Sequence, residues 1–144
     1  MRRLLVVGAA AAMLFAGCSD DGEVSSPGDD VVLRVVDGYA VARDWTLADL
    51  EAEIPFSEVV VDGDAQTGPR LVEIIAASGI DEWETGQVLG MGEGRVFEVG
   101  LDIYSSEVDD TWVFDVTNRG TLKLASPDLS REMWVRDVAE LRFP

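Results

Sequence analysis

PRLVEIIAAS, residues 69–78, is the stretch that decides the fold of this chain. Proline is favoured at the first position of a helix, and Gly79, directly after the stretch, is the residue type that most often ends a helix. Between these two signals, side chains three and four positions apart form one face: Leu71, Ile74, Ile75 and Ser78. We therefore predict a helix that begins at Pro69 and anchors the core of the domain through this face.

Short apolar runs separated by turn signals lie on both sides of this helix and predict strands. A second helix, TLADLEAE (46–53), is predicted to begin at a capping box of Thr46 and Asp49 and to end before Pro55. The predicted strands are 31–36, 39–41, 56–61, 87–91, 95–103, 111–117, 121–125 and 134–143, and DGDAQTG (62–68) is predicted to be a loop. Because strands outnumber helices, we predict an α+β fold with a mixed or antiparallel sheet and two short helices.

The N-terminus has a different pattern, with Arg2 and Arg3, an apolar run over 4–16, and Cys18 directly after Gly17. This pattern resembles the signal of bacterial lipoproteins, in which such a cysteine is acylated on sulfur and becomes the first residue of the mature chain. The apolar run of 13 residues is shorter than the roughly 20 that a helix needs to cross a bilayer, which favours a cleaved signal. We therefore predict a signal peptide at 1–17 and lipid on Cys18, with an uncleaved anchor or an ordinary secretory signal as alternatives.

Residues 18–30 are rich in glycine, serine, proline and acids, and they contain too little apolar surface to offset the entropy of the chain. They are predicted to form a lipidated, flexible tether, whereas 31–144 form one domain. The lipid on Cys18 would hold this domain at the cell membrane, on its extracytoplasmic face, which is either periplasmic or the outer surface.

Charge and composition exclude several classes of function. The formal charge is −17 and becomes −19 if cleavage removes Arg2 and Arg3. Such a chain repels phosphates, so nucleic acid is not an expected partner and the membrane is reached through lipid alone. The chain has one cysteine and no histidine, which excludes an internal disulfide, a Cys/His zinc site and a histidine general base. No catalytic residue and no metal site is predicted.

Three stretches, in this order, resemble the oxidoreductase molybdopterin-binding domain family, which includes sulfite oxidase and the catalytic subunit of the bacterial periplasmic methionine sulfoxide reductase. They are GPRLVEIIAASGI (68–80), NRGTLKLASPD (118–128) and MWVRDVAELRF (133–143). The resemblance implies a sulfite-oxidase-like fold for the domain. It also implies where molybdenum would bind, because active members hold it through a cysteine thiolate in the loop before the first stretch. Here that loop is DGDAQT (62–67), which has no cysteine.

We therefore expect a relative that binds no cofactor and acts as a binding or accessory module for an unidentified envelope protein or small ligand. One alternative is a molybdopterin-dependent oxidoreductase, or a subunit of one, that acts on a small oxidised or reduced sulfur or nitrogen compound. The other alternative is an acidic lipoprotein adaptor that is unrelated to this family.

Two acidic patterns have a functional and a structural interpretation. Four residues follow the spacing of a calcium-binding loop: Asp62, Asp64, Gln66 and Glu73. Thr67 stands where such a loop needs glycine, which favours a solvated loop. Three acids lie close to Tyr104 and are compatible with a carboxylate site, although a polar turn is the commoner structure: Glu107, Asp109 and Asp110.

Trp83 is the first candidate for an exposed contact with a partner. It lies in the polar segment DEWE (81–84), where packing explains a large apolar side chain less well. Replacing it with alanine is therefore expected to leave stability nearly unchanged. The remaining large aromatic residues are candidates for lining a ligand pocket: Trp45, Trp112, Trp134, Phe97 and Phe114. Strand alternation over 111–116 favours instead a core position for Trp112 and Phe114, and Trp134 is also expected in the core.

Overall fold

A computed structural model describes residues 30–92 and 97–144 of the chain, without the side chains of 97–99. The elements are β1 (Val31–Asp37), β2 (Ala40–Thr46), α1 (Leu47–Glu53), β3 (Phe56–Val61), β4 (Asp64–Pro69), α2 (Leu71–Ala77), β5 (Thr85–Met91), β6 (Phe97–Tyr104), β7 (Val113–Val116), β8 (Leu122–Ala125) and β9 (Val138–Phe143). The predicted α+β class, with a mixed sheet and two short helices, is confirmed. The predicted signal peptide, Cys18 and all of the tether except Asp30 lie outside the described residues.

The main sheet has the strand order β2-β1-β9-β5-β6. The first and last strands, β1 and β9, run parallel, whereas the other neighbours in this order are antiparallel. The β7–β8 hairpin joins the sheet where Leu122 pairs with Val138, and β3 and β4 form a separate two-stranded sheet. As a result, the C-terminal strand β9 lies in the middle of the sheet, between the first strand, β1, and the pair β5–β6.

Helix α2 has the predicted apolar face but begins later than predicted. Its first residue is Leu71, because Pro69 belongs to β4 and pairs with Phe56. The helix then ends before Gly79, whose φ of 85° is the left-handed conformation that glycine adopts readily. Three apolar residues of the predicted face are at most 1% exposed, and Ser78 is buried with them: Leu71, Ile74 and Ile75.

The prediction of a loop over 62–68 is wrong, because this segment contains strand β4. Asp62 and Gly63 form a tight turn with φ of 51° and 84°, which is the type of turn that joins two antiparallel strands. The small and polar residues of β4 do not show the apolar alternation that predicts a strand. Close packing explains why the strand contains such residues. A Cβ on Gly68 would lie 1.7 Å from the Phe114 carbonyl oxygen, so only glycine fits where β4 crosses β7.

The last strand is also shorter than predicted. It begins at Val138, and residues 134–137 precede it without forming a strand. Asp137 has a φ of 48°, a conformation that does not continue a β-strand.

A single core lies between one face of the sheet and the two helices. Its largest fully buried side chains come from both helices and from six of the strands: Trp45, Phe114, Phe143, Leu33, Leu50, Leu71, Ile74, Ile75, Ile103, Leu122, Leu124 and Leu141. Because all of these residues lie between 33 and 143, a chain of residues 19–144 contains the entire described fold. Neither described helix has the length and apolar character needed to span a bilayer.

Two sets of hydrogen bonds position the helices, and the first of them confirms the predicted capping box. Thr46 and Asp49 form the reciprocal capping box of α1, with bonds of 3.1 and 3.2 Å. At the end of α2, the Trp45 indole N–H donates to Ser78 Oγ at 3.0 Å, and the Ser78 hydroxyl donates to the Ile74 carbonyl at 2.7 Å. These buried bonds connect β2 to α2, so Trp45 is a core residue.

Candidate functional site

The topology brings four strand ends to one side of the molecule. Strands β1 and β9 both end there because they are parallel, and β5 begins there because it is antiparallel to β9. Strand β6, antiparallel to β5, ends there as well. The Gly38 N–H, in the turn between β1 and β2, donates to the Phe143 carbonyl at 2.9 Å and so attaches this turn to the end of β9.

A groove of about 490 Å³ lies at these strand ends, and we call it the strand-end groove. It is lined by Gly38, Tyr39, Thr85, Gly86, Gln87, Asp102, Tyr104, Arg142, Phe143 and Pro144. Two tyrosine rings are open to solvent there, because Tyr39 is 100% and Tyr104 43% exposed. The groove therefore combines aromatic surface with a few polar side chains, which is the usual composition of a ligand site.

The polar groups of the groove lie on one face of the sheet because they are direct neighbours across strands. Gln87 pairs with Asp102 of β6 on one side and with Arg142 of β9 on the other. Gln87 Nε2 donates to Asp102 Oδ1 at 3.0 Å, and Arg142 forms an ion pair of 2.7 Å with Glu140. The Glu140 side chain is only 7% exposed, so the positive charge of Arg142 is largely committed to this partner.

Trp83 lies beside the groove, in the segment between α2 and β5. Its ring packs edge-to-face against Phe143, with centroids 5.3 Å apart and planes at 70°. It also lines an adjoining cavity of about 190 Å³, which shares Thr85, Phe143 and Pro144 with the groove. The side chain is half-buried against the core. Its proposed contact with a partner stays a prediction, but packing now accounts for part of its surface.

Three of the four residues with calcium-loop spacing pair with arginines: Asp62 and Asp64 with Arg131, and Glu73 with Arg70. Arg131 donates through Nε to Asp62 at 3.2 Å and through Nη2 to Asp64 at 2.9 Å. These carboxylates raise the pKa of the Arg131 guanidinium, whereas Gln66 is buried in β4 and Glu73 lies 3.7 Å from Arg70. Among the described residues, no group of three or more Asp, Glu, Cys or His is arranged to hold a metal ion.

The acids near Tyr104 form a turn. Asp109 accepts hydrogen bonds from the Thr111 hydroxyl and backbone N–H, and these bonds lower the pKa of the Asp109 carboxyl. The carboxylate is thereby used to stabilise the segment before β7. Tyr104 contributes instead to the strand-end groove.

The other aromatic residues do not form one pocket. Trp112 and Phe114 are buried in the core, as strand alternation predicts, whereas Trp134 is half-buried. The guanidinium of Arg131 lies 5.1 Å from the centre of the Trp134 ring, and Lys123 Nζ lies 5.6 Å from it. The side chain of Phe97 lies outside the described part of the chain.

Sequence analysis missed most of the groove. Four of its residues are ordinary polar or aromatic residues near turns and strand ends, and they are far apart in the chain: Tyr39, Gln87, Asp102 and Arg142. The one local signal is the Asp37-Gly38 sequence, which predicts a turn after β1; the structure places this turn at Gly38-Tyr39, with Tyr39 fully exposed. No protein-family model, curated protein or solved structure matches this chain. The groove is therefore interpreted from its own geometry.

Proposed function

We propose that this chain is a lipid-anchored binding protein of the cell envelope, and that it binds its ligand in the strand-end groove. The signal pattern before Cys18 supports the lipid anchor and the extracytoplasmic location. The acidic composition supports attachment through lipid, because a chain with a formal charge of −17 gains nothing from anionic headgroups.

The observation that carries the binding function is the strand-end groove. Its volume of about 490 Å³ lies within the roughly 300–1,000 Å³ that is typical of small-molecule sites. Its lining provides aromatic surface from two tyrosines and hydrogen-bonding groups from Gln87 and Asp102. The bond from Gln87 Nε2 to Asp102 Oδ1 does not use the Gln87 carbonyl oxygen or Asp102 Oδ2, so both remain acceptors for a ligand.

We further propose that the domain is a sulfite-oxidase-like relative that does not bind molybdopterin. The support is the order of the three resembling stretches, together with the donor set before α2. At those positions Asp62 and Asp64 are ion-paired with Arg131, and carboxylates are hard ligands, unlike the soft thiolate that the family uses. This donor set favours binding over redox catalysis.

Two measurements test the anchor and the groove separately. For the anchor, the full chain is produced in a bacterium that is fed an alkyne-labelled fatty acid. We expect labelling of the wild type and none of Cys18→Ser, and labelling of both would remove the lipid on Cys18 from the proposal.

For the groove, ¹⁵N-labelled residues 19–144 are screened by NMR against a set of neutral and charged fragments. We expect shifts that cluster at Thr85, Gln87 and Tyr104. Tyr104→Leu should weaken these responses, whereas Met133→Leu, which alters a similarly exposed residue outside the groove, should not. A screen in which no fragment shifts groove residues would overturn the binding function.

A further inference from the structure

We infer that the ligand of the strand-end groove is a small organic cation, an ammonium or quaternary ammonium compound with an apolar body. This inference rests on the proposed binding function and names the chemical class of its ligand. It is based on the charges around the groove, the exposed aromatic rings and the volume of the cavity.

Negative charge surrounds the groove without a matching positive charge. Asp102 lies inside it, and three further acids line the adjoining cavity: Asp37, Glu82 and Glu84. Among the described lining residues of both cavities, Arg142 is the only cation, and Glu140 neutralises it at 2.7 Å. A ligand anion would meet four carboxylates and a single guanidinium that is already paired with Glu140, whereas a cation is attracted by all four carboxylates.

Aromatic rings are exposed where that cation would lie. Tyr39 and Tyr104 line the groove with exposed side chains, and the half-buried Trp83 lines the adjoining cavity, where it packs against the buried ring of Phe143. The face of an aromatic ring attracts ammonium groups through its quadrupole, and the attraction grows when the cation is partly desolvated in a cavity. Exposed tyrosines beside carboxylates therefore favour a cation over a neutral molecule of the same shape.

The size of the groove selects a small occupant. A cavity of about 490 Å³ matches a single small molecule. Its lining is mostly apolar, which favours an ammonium group that carries methyl or methylene groups over a hydrated metal ion. Choline combines a quaternary ammonium with this size and is therefore a suitable probe.

The test compares choline with 3,3-dimethylbutan-1-ol, a neutral molecule of nearly the same shape, by NMR titration of ¹⁵N-labelled residues 19–144. We expect choline to shift Tyr39, Gln87 and Tyr104 and to bind about tenfold more tightly than the neutral alcohol. Added sodium chloride should weaken choline binding and leave the alcohol unaffected.

Three variants test whether choline binds in the strand-end groove. Asp102→Asn should lower choline affinity about threefold and leave the affinity for the alcohol unchanged. Tyr104→Phe keeps the ring and should bind choline like the wild type, whereas Tyr104→Leu should lose most of the affinity. Circular dichroism of each variant verifies that the fold is intact, and Tyr39→Leu, at a fully exposed position, replaces any Tyr104 variant that unfolds.

If the alcohol binds at the same residues as tightly as choline or more tightly, the inference that the ligand is a cation is wrong, but the proposed binding function is still supported. The inference is also wrong if choline changes the chemical shifts only of residues outside the groove. If neither choline nor any fragment changes the chemical shifts of groove residues, both the inferred cation and the proposed binding function are wrong.

Discussion

Replacing Ser78 with alanine will destabilise the domain by about 1–3 kcal/mol, because it leaves a buried N–H without an acceptor. Trp45 is 0% exposed, and its indole N–H donates to Ser78 Oγ at 3.0 Å. Once the hydroxyl is removed, the indole has neither this acceptor nor water. The loss is large against a total stability of about 5–15 kcal/mol for a small domain.

A double-mutant cycle isolates this bond from the other effects of the substitution. In a Trp45→Phe background no indole N–H remains, so Ser78→Ala removes only the hydroxyl's own bond to the Ile74 carbonyl. The cost of Ser78→Ala should therefore fall by about 1 kcal/mol or more relative to the wild-type background. Trp45→Phe will itself be destabilising, because it leaves a cavity in the core.

Urea denaturation of residues 19–144, followed by far-UV circular dichroism, measures each free energy of unfolding without relying on Trp45 fluorescence. Ser130→Ala is the matched control. Ser130 is exposed, and its side chain does not cap the short 3-10 helix Arg131–Met133 that follows it. The effect of this substitution should stay within about 0.5 kcal/mol. If Ser78→Ala costs the same in both backgrounds, to within about 0.5 kcal/mol, the argument from the buried indole is refuted.

Three further predictions follow from individual contacts. Gly68→Ala should lower the free energy of unfolding by about 1–3 kcal/mol or more, because its Cβ would lie 1.7 Å from the Phe114 carbonyl oxygen, and an unchanged melting temperature would contradict this close packing. Trp83→Ala should cost about 1–2 kcal/mol through the lost contact with Phe143 and neighbouring core residues, in contrast to the near-neutral effect expected from sequence; thermal denaturation distinguishes the two. The capping box lowers the pKa of Asp49 below its ordinary 3.8, so Asp49 contributes stability above its unfolded pKa and loses it as the pH falls through the folded pKa. Asp49→Asn should therefore lower the melting temperature at neutral pH but have little effect in strong acid, and an equal effect at both would show that the charge is not involved.

The features that sequence predicted correctly all depend on neighbouring residues. The buried face of α2, the capping box at Thr46 and the left-handed Gly79 are local patterns, in which residues one to four positions apart decide the conformation. The same holds for Trp112 and Phe114, whose alternation places them in the core. The largest error lies where a distant contact determines the conformation: the small and polar residues of β4 pair with β3 and fit closely against β7.

The sequence by itself determined the α+β class, the core helix, the acidic character of the chain and the exclusion of histidine chemistry, because composition and short-range periodicity suffice for these. Only the tertiary structure decided that β1 and β9 lie parallel and that β5 and β6 follow them. That pairing places Tyr39, Gln87, Asp102 and Arg142 around one groove, although they are separated by up to about a hundred residues. Strand pairing is chosen by the burial of side chains from the whole domain, so no local pattern carries it.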